Sequence, residues 1–88
     1  MKGDLLADLR AAFRQRAARD RVILIQSLEA GDISQIEWIA HRLAGSAGMF
    51  GFSDVAEAAL AIDDGFAAGR GLDANAAARL VSELEALA

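Results

Sequence analysis

The only histidine of the chain, His41, has a neighbourhood suited to chemistry at an exposed imidazole. Gly45 and Gly48 follow it at four and seven residues, spacings that place all three on one side of a helix. Glycine inside a helix costs about 1 kcal/mol relative to alanine, which is abundant here, so both glycines need a reason. Neutral imidazole is a good nucleophile toward phosphorus. The pattern therefore predicts that a large molecule approaches the imidazole closely, and the chemistry of imidazole would let His41 accept a phosphoryl group if partners bring the remaining groups.

A helical wheel predicts that His41 faces solvent, because it lies about 130° from the centre of the apolar stripe on its own helix. Trp38, Arg42 and Gly45 are predicted on the same outer side, with Gly48 near its edge. Tryptophan is costly to expose and is enriched in binding hot spots, which favours a docking strip around the histidine.

Glu37 lies one turn before His41 and could accept a hydrogen bond from the imidazole, fixing its tautomer. An ordinary exposed carboxylate is an equally good interpretation of this residue. The sequence contains no P-loop, kinase signature or tight acidic metal cluster. Phosphoryl transfer usually needs Mg²⁺, so the expectation is that this chain has no cofactor of its own and that partners bring the remaining groups.

Composition excludes several classes of protein. The 88 residues fit one small domain over 1–88, and a net charge of −4 argues against nucleic acid as a partner. Without cysteine there is no disulfide or cysteine-based zinc site. The sequence has neither a signal peptide nor an apolar run of about 18 residues, so we expect no membrane contact and a cytoplasmic location. The arginines of the first helix are interpreted as a solvated face that pairs with nearby acids.

Glycines at 31, 48–51 and 69–71 divide the chain into four segments with helical periodicity. The first runs from about Asp4 to Ala30, with a kink possible near residues 19 and 20. The expected N-caps of the four helices, in chain order, are Asp4, Asp32 (with Gln35 as its capping-box partner), Ser53 or Asp54, and Asp73. The core positions are Leu6, Leu9, Phe13, Ala17, Leu24 and Leu28; Ile33, Ile36, Ala40, Leu43, Ala47 and Phe50; Val55, Ala59, Ile62 and Phe66; Ala77, Leu80, Leu84 and Leu87.

Short connections between four amphipathic helices predict an all-α, antiparallel up-down four-helix bundle. In this architecture the second helix is a rigid mount for His41, and the other three helices cover its apolar side.

The segment from Ala40 to Gly51, AHRLAGSAGMFG, resembles the histidine-containing phosphotransfer (HPt) domain, whose pattern is roughly A-H-x-L-K-G-S-[AS] followed by Gly. Chain length, the four helices and the histidine's place in the second helix also agree. The resemblance implies that His41 takes a phosphoryl group from the aspartate of one receiver domain and passes it to another. Response-regulator receivers and a hybrid histidine kinase would be the partners, with Mg²⁺ bound by the receiver.

One position departs from the family pattern, because Ala44 stands where the family frequently has lysine. That lysine would neutralise and orient the phosphoryl group, and Arg42 is only a possible substitute. Ala44 would also belong to the partner-binding strip with Trp38, Arg42, Gly45 and Gly48.

Two alternatives remain open at this point. The chain could be a protein-interaction module that binds receivers without phosphotransfer. It could also be a metal-dependent enzyme that uses Glu37 and His41, although bundle metal sites need several inward carboxylates, and Asp63 and Asp64 are better interpreted as capping or solvating their helix. A monomeric, stand-alone chain is expected.

Overall fold

The computed structural model describes residues 4–87, which form four α-helices: α1 (Leu5–Ala30), α2 (Ile33–Met49), α3 (Ser53–Ala67) and α4 (Ala74–Leu87). Each helix packs against the next along the chain, and α4 closes the bundle against α1. The short connections make neighbouring helices antiparallel, as the sequence predicts. The α2–α3 pair has the most extensive contact and presents the surface that matters below.

Helix α1 is a single 26-residue helix, capped by Asp4 and ended by Gly31 in the left-handed conformation at φ 66°. At 1.5 Å per residue it is much longer than its neighbours. Its first turns therefore extend past the end of α2, and this explains why Leu6 and Leu9 are 52% and 41% exposed. The predicted core positions of these two residues are wrong.

Three of the four predicted caps form, those of Asp4, Asp32 and Asp73, and the one at α3 does not. Asp32 accepts a hydrogen bond from Gln35 N, and Asp73 accepts one from Ala76 N. The backbone N–H of Asp32 donates to Ser27 O at 2.9 Å, which leaves no need for the reciprocal half of a capping box. At α3 the N-cap position is Phe52, without a side-chain cap, so the prediction of Ser53 or Asp54 is wrong.

The core is built from the predicted stripes, with few exceptions. Ile33 is 46% exposed because it lies in the first turn of α2, at the end of the bundle, and Ile39 is buried instead. Four predicted core residues are only half-buried: Leu28, Phe50, Phe66 and Leu87. The largest fully buried side chains are those of Leu24, Ile36, Ile39, Leu43, Ile62, Leu80 and Leu84.

The α2–α3 turn is held against α1 by Arg10. Its Nη1 donates to Phe50 O at 2.7 Å, and its guanidinium lies 4.6 Å from the ring centroid of Phe52. Phe52 stacks on Phe13 with ring centroids 4.7 Å apart. These contacts fix where α3 starts relative to α2, and they therefore fix which residues of the two helices face each other. None of the described helices is both long enough and apolar enough to cross a membrane.

Candidate functional site

His41 projects from the middle of α2 into solvent, with its side chain 78% exposed. Its Nδ1 lies 3.2 Å from Oδ2 of Asp63 on α3. Because an ionised carboxylate only accepts hydrogen bonds, this contact assigns the proton to Nδ1. The other ring nitrogen, Nε2, then carries the lone pair. The arrangement presents Nε2 in a defined orientation on a rigid helix.

The carboxylate that contacts the imidazole is that of Asp63, whereas the sequence analysis suggested Glu37 for this hydrogen bond. Glu37 lines the same shallow surface pocket as His41, but among the described residues the imidazole bonds to Asp63. The interpretation of Asp63 as a solvating residue at the helix end is therefore wrong. The sequence of α3 contains one pattern that could have predicted the contact between Asp63 and α2. Ala56, Leu60 and Asp63 recur at helical spacing beside the core stripe, which predicts a second face turned toward α2.

The surface next to His41 is open. A Cβ built on Gly45 would meet nothing within 4 Å, and one built on Gly48 would come only to 4.0 Å from the Cβ of Ala56. Neither glycine is required by packing inside the protein. Their predicted place on an exposed face agrees with the structure, and the space above Gly45 is free for an approaching molecule.

Leu60 is an exposed residue of this surface that the sequence analysis missed. His41 faces Asp63 and Gly48 faces Ala56, so counting along the antiparallel pair places Leu60 level with Ala44 and Gly45. Leu60 is 49% exposed, whereas Ala44 is half-buried against the core. One turn from the imidazole, the surface is therefore apolar and carries an exposed leucine.

Trp38 is 59% exposed, as predicted, but Arg42 is not an outward residue. The Nη2 of Arg42 donates to Oδ1 of Asp20 at 2.7 Å across the α1–α2 interface. Asp20 is almost fully buried, with its side chain 9% exposed. The guanidinium also lies 5.1 Å from the ring centroid of Trp38 and supports the indole from one side. Arg42 is therefore a bridge between helices, because the buried carboxylate of α1 draws it away from the exposed face.

The described residues contain no cluster of side chains that could bind a metal ion. Within residues 4–87, no three carboxylate or histidine side chains come together in a way that could hold a metal ion. Asp63 and His41 are neighbours, but their geometry is that of a hydrogen-bonded pair on the surface.

A family model described as Hpt domain matches residues 8–88. Comparison with curated proteins and with solved structures gave no match.

Proposed function

The chain belongs to the Hpt domain family, and we propose that His41 carries a phosphoryl group between the aspartates of receiver domains. The family acts in two-component signalling, and its members are phosphoryl carriers, not catalysts. The observation that carries the proposal is the hydrogen bond between Nδ1 of His41 and Asp63, which leaves Nε2 exposed beside the open surface over Gly45.

His41 can accept and release the phosphoryl group without losing the proton on Nδ1. Nε2 attacks the phosphorus of an aspartyl phosphate, the P–O bond to the donor breaks, and the donor aspartate leaves as a carboxylate. Nδ1 keeps its proton, so the phosphorylated ring carries a positive charge beside the dianionic phosphoryl group. When the next aspartate attacks phosphorus, the N–P bond breaks and the neutral imidazole returns.

Asp63 supports this cycle in two ways. Its acceptor oxygen holds the proton on Nδ1, which keeps Nε2 as the nucleophile in every turnover. Its negative charge also lies next to the ring that becomes positive on phosphorylation, and hydrogen bonds to charged groups are the stronger ones. Asp63 does not touch the phosphorus, so it is a positioning residue.

The surface around the imidazole supports docking of a receiver. Trp38 offers a large, exposed aromatic face that Arg42 holds in place, and Leu60 offers a second apolar contact beside Gly45. Transient signalling pairs often bury less than about 1,200 Å² in total, so two such anchors can dominate binding. In the proposed complex the receiver contributes Mg²⁺, and a hybrid histidine kinase is the upstream source of the phosphoryl group.

The test is a phosphotransfer screen against the receiver domains of the same cell, each phosphorylated beforehand. We expect acid-labile, base-stable phosphate to move onto this protein and to be absent from His41→Gln. Gly45→Glu should remain folded and lose transfer, because its side chain fills the approach. A failure of every receiver to label His41 would refute the carrier role.

The same variants separate the carrier from a pure interaction module. A module would bind its receiver with equal affinity as wild type and as His41→Gln, and neither form would take up phosphate. A carrier binds in both forms but takes up phosphate only with the histidine present.

A further inference from the structure

A chain of contacts runs from the exposed indole of Trp38 to a buried carboxylate of α1. Asp20 accepts a hydrogen bond from Nη2 of Arg42 at 2.7 Å, and the guanidinium of Arg42 lies 5.1 Å from the ring centroid of Trp38. Trp38 is 59% exposed, whereas the side chains of Arg42 and Asp20 are 24% and 9% exposed. These contacts therefore connect the surface beside His41 to the α1–α2 interface.

The spacing on α2 brings Arg42 close to Trp38 but does not hold it there. The two residues are four apart, so their side chains are neighbours on one face of the helix. A long arginine side chain has many rotamers, and a cation stacked on an exposed ring is bound only weakly. Contacts within α2 alone would therefore leave the guanidinium free to move, and the indole would lose the group that supports it.

Asp20 fixes the far end of the Arg42 side chain. The Nε of Arg42 is buried without a hydrogen-bond partner among the described residues, so the bond from Nη2 to Asp20 is the polar contact that anchors the guanidinium. The carboxylate of Asp20 is itself buried on the 26-residue helix α1. Moving Arg42 away would leave this carboxylate unpaired, which is strongly unfavourable. The guanidinium therefore stays beside the indole.

We propose that Asp20 is a positioning residue for receiver docking, which acts on Trp38 through Arg42. A receiver then meets an indole that is already ordered, and less side-chain freedom is lost when the two proteins bind. This inference rests on the proposed phosphocarrier function, in which Trp38 is a docking anchor. Asp20 bonds to Arg42 in the α1–α2 interface and not to His41, so its replacement should change docking and leave the transfer step as it is.

The first test needs no partner protein, because Trp38 is the only tryptophan of the chain and there is no tyrosine. Tryptophan fluorescence therefore reports on this indole alone, and its quenching by acrylamide measures how freely the ring is reached. Asp20→Asn should raise the quenching constant, because a neutral amide holds the guanidinium over the ring less firmly. Glu85→Gln removes the partner of Arg21 in an ion pair between α1 and α4, and this matched control should leave the constant unchanged.

The second test is transfer from a phosphorylated receiver that labels the wild type. Asp20→Asn should raise KM about two- to fivefold, the fold-change that corresponds to an exposed cation–π contact, and should leave kcat unchanged. Arg42→Met should raise KM to a similar extent, and adding Asp20→Asn to Arg42→Met should cause no further rise. This double-mutant cycle separates an effect transmitted through Arg42 from a general loss of stability.

Arg42→Lys separates the ion pair from the contact with the ring. Lysine keeps a positive charge for Asp20, but it lacks the planar group that lies beside the indole. This variant should raise both the quenching constant and KM while circular dichroism shows a folded protein. If Asp20→Asn does not fold, Arg42→Lys decides the question, and unchanged values for it would overturn the inference.

The remaining outcomes are distinguishable. An unchanged quenching constant or an unchanged KM in folded Asp20→Asn would overturn the inference, and so would additive effects of Asp20→Asn and Arg42→Met on KM. A failure of every receiver to label the wild type would instead overturn the proposed function. The quenching constant would in that case still show whether Asp20 holds the indole of Trp38 in place.

Discussion

Replacement of Asp63 by asparagine tests how His41 is prepared for transfer. The contact between Nδ1 and Oδ2 is 3.2 Å long, the imidazole is 78% exposed, and the Asp63 side chain is 27% exposed. A hydrogen bond to a charged group contributes about 1.5–3 kcal/mol when buried, and an exposed ion pair about 0.2–1 kcal/mol. Because the pair is partly exposed, its contribution is about 1 kcal/mol. Loss of the negative charge of Asp63 therefore lowers the equilibrium constant for phosphorylation of His41 about fivefold.

Two measurements check the effect of Asp63→Asn. The ratio of phosphorylated carrier to phosphorylated receiver at equilibrium, read from labelled protein, should fall about fivefold. The ¹⁵N shifts of His41 report which ring nitrogen carries the proton. Asparagine can still accept from Nδ1 through its amide oxygen, whereas Asp63→Ala removes the acceptor and should mix the tautomers.

Asp64→Asn is the matched control, because Asp64 is the exposed neighbour in sequence and lies outside the pocket around His41. It should leave both the equilibrium and the ¹⁵N shifts unchanged. Unfolding free energies of all three variants should stay within about 0.5 kcal/mol of wild type, since the site is on the surface. Equal effects of Asp63→Asn and Asp64→Asn would refute a specific role for the hydrogen bond.

Three substitutions around His41 test the surroundings of the site. Gly45→Ala should raise the unfolding free energy in urea by about 0.5–1 kcal/mol, because the position is helical and unobstructed; a loss of stability would mean that the glycine is needed for packing. Arg42→Ala should lower the unfolding free energy by about 2 kcal/mol by stranding Asp20, whereas Arg79→Ala, whose ion pairs are exposed, should change it by less than about 1 kcal/mol. Comparable losses for both arginines would contradict this account of the interface. Trp38→Ala should weaken receiver binding about tenfold in a titration while phosphoramidate still labels His41, and unchanged affinity would remove Trp38 from the docking surface.

Most of the fold could be predicted because helix signals are local. Gly31 ends α1 with φ 66°, and the side chains of Asp32 and Asp73 cap the helices that follow them. The wrong predictions of buried residues occur at the helix ends, where burial depends on the relative lengths of neighbouring helices. Leu6 and Ile33 have core periodicity but lie at the ends of the bundle, where no neighbouring helix covers them.

The candidate site was predictable only on one helix. The exposure of His41 and Trp38 follows from the phase of a single apolar stripe, which the sequence of α2 contains in full. The phase of the same stripe also predicts that Arg42 is exposed, and this prediction is wrong. The long side chain of Arg42 turns toward the buried carboxylate of Asp20 on α1. A helical wheel of α2 cannot predict this contact, because it contains only residues of α2.

The sequence by itself determined that this chain forms four helices and presents one histidine beside a helix face kept clear by glycine. The family model matches residues 8–88 of that sequence. Only the tertiary structure decided what charge surrounds that histidine. Asp63 is 22 residues away along the chain and reaches His41 because the packing of the α2–α3 turn against α1 sets the register of the two helices. The buried carboxylate of Asp20 on α1 draws Arg42 away from the exposed face. The electrostatics of the site therefore result from contacts between helices that periodicity alone does not describe.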